Sequence, residues 1–194
     1  MAKVAVLTND LQYDLVLKND ERSSAVKAAT PRFCAFLQRM RDLGVPIVHL
    51  QLINRVDDPS VQRYGDRIPV VKGTEGAKIM TEFLAPDDLV VEKNKDSGFF
   101  ETELDQVLRS KGIETVIVTG MQTQICVQTT AADAFFRGYK VVVPEDAVVS
   151  AREDDKRRAL EWLDSYFAQI TTCQAICDYL QTHDDFERKS VNVL

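Results

Sequence analysis

Short apolar runs alternate with longer amphipathic stretches along almost the whole chain. Residues 4–8 form an apolar run that ends in Asn9-Asp10. Residues 45–52, 89–91, 115–119, 139–143 and 168–172 are five more. Their length and β-branched content mark them as strands. Between them, residues 24–43 place Phe33, Phe36, Leu37 and Met40 on one helical face and stop at Gly44. Residues 74–84, 99–110, 124–137, 153–164 and 174–182 read as further helices. The stretch 53–72 is polar and holds Pro59, Gly65 and Pro69, so it reads as a long loop, and loops of that length are often functional.

Six strands separated by helices predict an α/β fold in three layers: an α/β/α sandwich around a six-stranded parallel sheet, doubly wound and Rossmann-like. The 194 residues suffice for one such domain, expected over residues 1–183, with residues 184–194 as a polar, arm-like or frayed tail. In sheets of this kind ligands bind beyond the carboxyl ends of the strands. Asp10, Lys93 and the segment from Gly120 to Cys126 all follow such ends and therefore share one rim.

Composition narrows the function. Hydrophobic residues at 45% and charged residues at 28% are ordinary for a globular protein. The net charge of -6 argues against a nucleic-acid surface and suits a small-molecule substrate. No apolar run is long enough to span a membrane, and Met1-Ala2-Lys3-Val4 lacks the features of a signal peptide, so a cytoplasmic location is expected. No Gly-x-Gly-x-x-Gly follows the first strand, and the segment from Gly73 to Lys78 has the wrong spacing for a phosphate loop. No cofactor is expected.

Cys34, Cys126, Cys173 and Cys177 are too few and too scattered for a disulfide scaffold. Only two histidines exist, His49 and His183, which limits histidine-based catalysis and metal binding. Cys34, Cys173 and Cys177 read as packing residues. Cys126 differs because it begins a helix just after a strand. There the helix dipole and free N–H groups are expected to lower its pKa and to receive an oxyanion. On position alone a packed core thiol is the competing reading. Lys93 taken alone is a solvated strand-end lysine, and Lys95 is a rival in the loop beyond it. Asp10 taken alone is a turn residue, with Asp14 as a rival carboxylate. Together they make a nucleophile, a base and a cation on three strand ends, a sensible way to activate a thiol without histidine.

These residues sit in three motifs. Asp10-Leu11-Gln12-Tyr13-Asp14 opens the chain, Lys93 is followed by Ser97-Gly98-Phe99-Phe100, and Thr119-Gly120-Met121-Gln122-Thr123-Gln124-Ile125-Cys126-Val127 is continued by Thr130, Asp133 and Ala134. In that order they resemble the isochorismatase-like cysteine hydrolases, which include nicotinamidases, N-carbamoylsarcosine amidases and ureidoacrylate amidohydrolases. The resemblance covers nearly the whole chain. It implies that Cys126 attacks a carbonyl, that Asp10 exchanges protons and that Lys93 supports both. It implies a cis peptide between Met121 and Gln122, with the N–H groups of Gln122 and Cys126 as the oxyanion hole. Gln12, Phe99 and Phe100 are expected to touch the substrate, and the loop over residues 53–72 to wall the site, with Arg55, Arg63 and Arg67 as a conceivable carboxylate clamp. A homo-oligomer, dimer or tetramer, is also implied. Nicotinamidases of this family carry metal-binding histidines after the second strand. Here that stretch is His49-Leu50-Gln51-Leu52-Ile53-Asn54, so no metal is expected and nicotinamide is disfavoured. The presence of Cys126 favours a carbon–nitrogen bond over the vinyl ether of isochorismate. A catalytically idle binder and a redox-responsive thiol are the remaining alternatives.

Overall fold

The computed structural model describes residues 3–190. The first strand, β1 (Val4–Asn9), leads through a short helix α1 (Tyr13–Val16) into α2 (Asp20–Asp42), β2 (Ile47–Leu52) and, after a long excursion, β3 (Leu89–Lys93). The second half runs α3 (Leu104–Ser110), β4 (Thr115–Met121), α4 (Gln128–Phe136), β5 (Lys140–Pro144), β6 (Val148–Val149), α5 (Glu153–Tyr166), β7 (Gln169–Thr171) and α6 (Cys173–Tyr179). All seven strands pair in parallel in the order β3-β2-β1-β4-β5-β7, with the two-residue β6 on β4 beyond β5. The six expected strands are thus present. The seventh, at two residues, is too short to show a period.

Alternation along the strands divides the core. On one face Val4 and Val6 of β1 pack with Phe33, Phe36, Leu37 and Met40 of α2 and Ile176 of α6. On the other, Ala5 and Leu7 pack with Leu104 and Leu108 of α3, Ala131 and Ala134 of α4 and Leu163 of α5. This is the expected three-layer sandwich. The chain moves outward from β1 to β3 and then returns to place β4 against the free side of β1, so the strand order reverses between β1 and β4. That switch point opens a crevice at the strand carboxyl ends.

Helix α2 begins four residues before its expected start because Asn19 caps it, accepting from the N–H of Arg22, and Asp20 and Glu21 occupy the positive end of the dipole. The helix expected over residues 74–84 does not form, apart from a single tight turn at Glu75–Ala77. Its backbone bonds to distant partners instead: Lys78 O accepts from Tyr13 N–H, Met80 N–H donates to Leu11 O, and Ile79 bridges Gln12. The helix expected from residue 99 starts at Leu104, where the Thr102 hydroxyl accepts from the N–H of Leu104. The segment read as an arm or frayed tail is laid down as far as Lys189. Phe186 is buried, Asp184 O accepts from Lys3 N–H at 2.9 Å, and Asp185 pairs with Lys140 and Thr115. Among the described residues no helix is long and apolar enough to cross a membrane.

Candidate active site

The end of β1 turns sharply at Asp10, whose φ of 56° lies in the left-handed region and whose N–H donates to Leu50 O at 3.1 Å. Its side chain thereby faces the end of β3. Lys93 Nζ stands 3.0 Å from each Asp10 oxygen, and it also donates to the carbonyls of Lys95 (3.2 Å) and Asp96 (3.0 Å). All three ammonium protons are therefore used. Asp10 Oδ2 accepts a hydrogen bond from Lys93, whereas among the described residues Oδ1 accepts none and is held only by its ionic contact with the same ammonium. Both residues are 2% exposed. Burial raises the Asp10 carboxyl above its ordinary range, although Lys93 pulls against it. Burial also acts to lower Lys93, but Asp10 first, and then the neighbouring Cys126, outweigh it and the net shift is upward.

Cys126 is delivered by the end of β4. At Gly120 φ is 102°, and a Cβ there would lie 2.3 Å from Asn9 O, so only glycine lets β4 lie this close to β1. The expected cis peptide joins Met121 to Gln122. Thr123–Val127 then form a wide π turn, marked by the Val127 N–H bond to Gln122 O, before α4 begins. Cys126 is 6% exposed, and its thiol donates to Asp96 Oδ1 at 3.8 Å. The expectation of a lowered thiol pKa is corrected here. Burial first, and then the adjacent Asp10 carboxylate, push the Cys126 thiol well above its ordinary value despite Lys93. The resting nucleophile is a neutral thiol beside a base.

Asp10, Asp96, Gln122 and Cys126 line one cavity of about 210 Å³. Its more exposed wall includes Arg63, Tyr64 and Pro69 of the long loop, as expected, together with Lys18 and Arg22. Gln122 Oε1 accepts from Ala151 N–H at 3.1 Å, while its buried Nε2 has no partner. A small network fixes the geometry. Asn9 Oδ1 accepts from Thr130 Oγ1 at 3.1 Å, Thr130 Oγ1 accepts from Gly98 N–H at 3.0 Å, and Ser97 Oγ donates to Asp133 Oδ2 at 2.7 Å. The loop after β3, which carries Asp96, is thereby fastened to α4 and β1.

Other expected contacts stand apart from this cavity. Gln12 spends its amide on the backbone, donating to Leu52 O and Ala77 O and accepting from Leu52 N–H, each at 2.8 Å. Phe99 is buried against Tyr139, with the Arg137 guanidinium 5.2 Å above its ring, and Phe100 is 46% exposed outside the cavity lining. Lys95 is bound to Asp58 and Ser60, and Asp14 to Arg67 and Val70 N–H. Arg55 lines a neighbouring pocket beside Lys93. His49 lies between Thr8 and Asp88, and His183 stacks on Tyr179, so neither histidine reaches the cavity. Among the described residues no three His, Cys, Asp or Glu side chains gather as metal ligands. Asp96, Lys18 and Arg22 escaped sequence reasoning because nothing in their local sequence points to a site. Thr130 belongs to the third motif, which was a usable signal, whereas Asn9 lies just before the first and outside it.

The isochorismatase domain family matches residues 4–175. Among solved structures, N-carbamoylsarcosine amidase from Thermoplasma acidophilum is 31% identical, covering 88% of this chain and 96% of that one with a TM-score of 0.76. An isochorismatase-like hydrolase from Alkaliphilus metalliredigens is 29% identical over 92% of this chain and 99% of that one, with a TM-score of 0.83. Pyrazinamidase of Pyrococcus horikoshii, solved in complex with zinc, is 26% identical over 88% and 99%, with a TM-score of 0.77.

Proposed function

This chain belongs to the isochorismatase family, and from that footing we propose that it hydrolyses an amide-type carbon–nitrogen bond of a small molecule through a thioester on Cys126. The observation that carries the reading is the buried Asp10 carboxylate, adjacent to the Cys126 thiol and held in place by Lys93 at 3.0 Å. Because the thiol rests neutral, its proton passes to Asp10 as sulfur attacks the carbonyl carbon. The carbonyl oxygen takes up the electron pair and is received by the N–H groups of Gln122 and Cys126. The oxyanion collapses, the C–N bond breaks, and Asp10 returns the proton to the leaving nitrogen. Water then attacks the thioester, giving its proton to Asp10. Collapse of the second oxyanion releases the acid, and the thiolate recovers that proton. Lys93 stays charged throughout and keeps the proton carrier in register.

Amidases among the similar structures, N-carbamoylsarcosine amidase and pyrazinamidase, support the bond type. A redox-sensing role fits less well, since sensor thiols are exposed and acidic, whereas Cys126 is neither. The test is ammonia release from a panel of small primary amides and carbamoyl compounds. The wild type is expected to turn over at least one, and Cys126→Ala to lose about four orders of magnitude or more while melting as the wild type does. Undiminished release by a folded Cys126→Ala protein overturns the proposal.

A further inference from the structure

The cavity is electrically polarised. Its buried end holds Asp10 and Asp96 with the thiol, and its more exposed end holds three cations, Lys18, Arg22 and Arg63, beside Tyr64. Neighbouring cations are matched: Arg67 pairs with Asp14 and Lys95 with Asp58. Among the described residues Lys18, Arg22 and Arg63 have no carboxylate partner. Arg22 donates only to Leu15 O at 3.4 Å. Arg63 donates to the Tyr64 hydroxyl at 3.3 Å and lies 5.1 Å over that ring. These neutral partners orient the guanidinium groups without cancelling their charge. Asp14, on the neighbouring wall, is already spent on Arg67 and on Val70 N–H.

The cations arrive from separate places. Lys18 and Arg22 flank the start of α2, and Arg63 comes from a short helical turn in the long loop, Pro59–Tyr64. Arg63 lies within electrostatic reach of Asp96 and Cys126, and Arg22 within reach of Cys126, so both guanidinium groups face the site. Arg22 is also half-buried, and withdrawing a cation from water without an anion is unfavourable. A ligand anion would supply what is missing. It cannot sit at the buried end, where two carboxylates would repel it. At about 210 Å³ the space lies below the range of drug-sized pockets, so both ends of a small molecule reach both ends of the cavity.

We propose that the substrate is a small amide bearing a carboxylate, with its scissile carbonyl at Cys126 and its carboxylate held at the outer end by Lys18, Arg22 and Arg63. The orientation rests on the amide-hydrolase reading, whereas the anion subsite itself does not. Binding without turnover separates the two. Malonamate, succinamate, glutaramate and N-carbamoylglycine are titrated by calorimetry into Cys126→Ala protein, each against its neutral diamide or alkylurea counterpart. At least one acid is expected to bind about tenfold or more tightly than its counterpart, as charge-assisted hydrogen bonds allow. Adding Arg63→Gln or Arg22→Gln is expected to erase most of that preference. Arg63 is exposed, so its replacement leaves the fold intact and keeps the test sharp if Arg22→Gln protein is unstable. In the wild type the same substitutions are expected to lower the ratio of kcat/KM for acid over neutral substrate by a similar factor, chiefly through KM. Equal affinity for acids and neutral counterparts, or a preference untouched by both substitutions, overturns the proposal. If the acids bind as expected but the wild type releases no ammonia, the subsite stands and the hydrolase reading falls.

Discussion

Asp88, the carboxylate just before β3, receives hydrogen bonds from Arg41 Nε and Nη2, His49 Nε2 and the Ala85 N–H, whereas the ammonium that ends the same strand faces a carboxylate with one oxygen left free. Both clusters are buried, and both sit among strands of one sheet. At Asp88 the donors fill both oxygens, the histidine is locked between carboxylate and Thr8 hydroxyl, and nothing remains for a ligand. At Asp10 one oxygen accepts no hydrogen bond, and the carboxylate lines the cavity beside the Cys126 thiol. A saturated polar cluster stabilises and specifies a fold, while an unsatisfied buried acceptor is retained where chemistry uses it.

This contrast is broken or sharpened by substitution at each end. The largest effect is expected from Asp10→Asn, which keeps the shape but removes the proton acceptor. Turnover in the ammonia-release assay should fall about a thousandfold or more, and stability in urea should fall as well, because the Lys93 charge loses its carboxylate. Next, Lys93→Met and Asp88→Ala each break a buried ion pair and should cost about 3–5 kcal/mol in denaturant unfolding. Only Lys93→Met should also lower turnover, by less than Asp10→Asn does. Asp88→Ala protein, assayed where it is folded, should stay within about twofold of wild type. If Asp88→Ala lowered turnover as deeply as Asp10→Asn does, the two clusters would not differ as described.

A third, smaller effect depends on pH. Burial lowers the His49 pKa against the opposing pull of Asp88. The unfolded chain therefore binds a proton that the folded chain resists, so stability is full above the ordinary histidine value of about 6.5 and falls as pH drops below it. Asp88 is held below its usual range because its Arg41 and His49 bonds outweigh burial, so its contribution persists to lower pH. Urea unfolding between pH 7 and pH 5 should show the decline in wild type and a flatter profile in His49→Gln. The smallest effect is expected at Phe100, where Ala should change stability by less than about 0.5 kcal/mol and kcat/KM by less than about twofold.

The sheet was legible because apolar runs of strand length state their own burial, and the rule for ligands at strand carboxyl ends then joins Asp10, Lys93 and Cys126 across residues far apart in sequence. Features set by long-range contact were not legible. Residues 74–84 have a helical pattern, but Gln12 and Leu11 claim their backbone. Phe99 looks like a site residue from its motif, yet Tyr139 and Arg137 enclose it. Asp96 belongs to the site because Lys93 binds its carbonyl and the bonds of Ser97 and Gly98 to α4 fold the loop back. The helix start that favours a thiolate is visible in sequence, whereas the burial that opposes it is not, and burial is the larger force on Cys126. The cations Lys18 and Arg22 carry no local signature, since their meaning comes from the cavity they share with Arg63.

The central claim is that Cys126 becomes acylated. Wild-type protein should be acid-quenched during turnover of the best amide in the panel and examined by intact-mass and peptide-mapping mass spectrometry. The expected result is an added mass equal to the acyl part of the substrate, located on Cys126, absent from Cys126→Ala protein and lost as turnover ends. Steady ammonia release with Cys126 unmodified at every quench time, and undiminished in Cys126→Ala protein, would contradict the account.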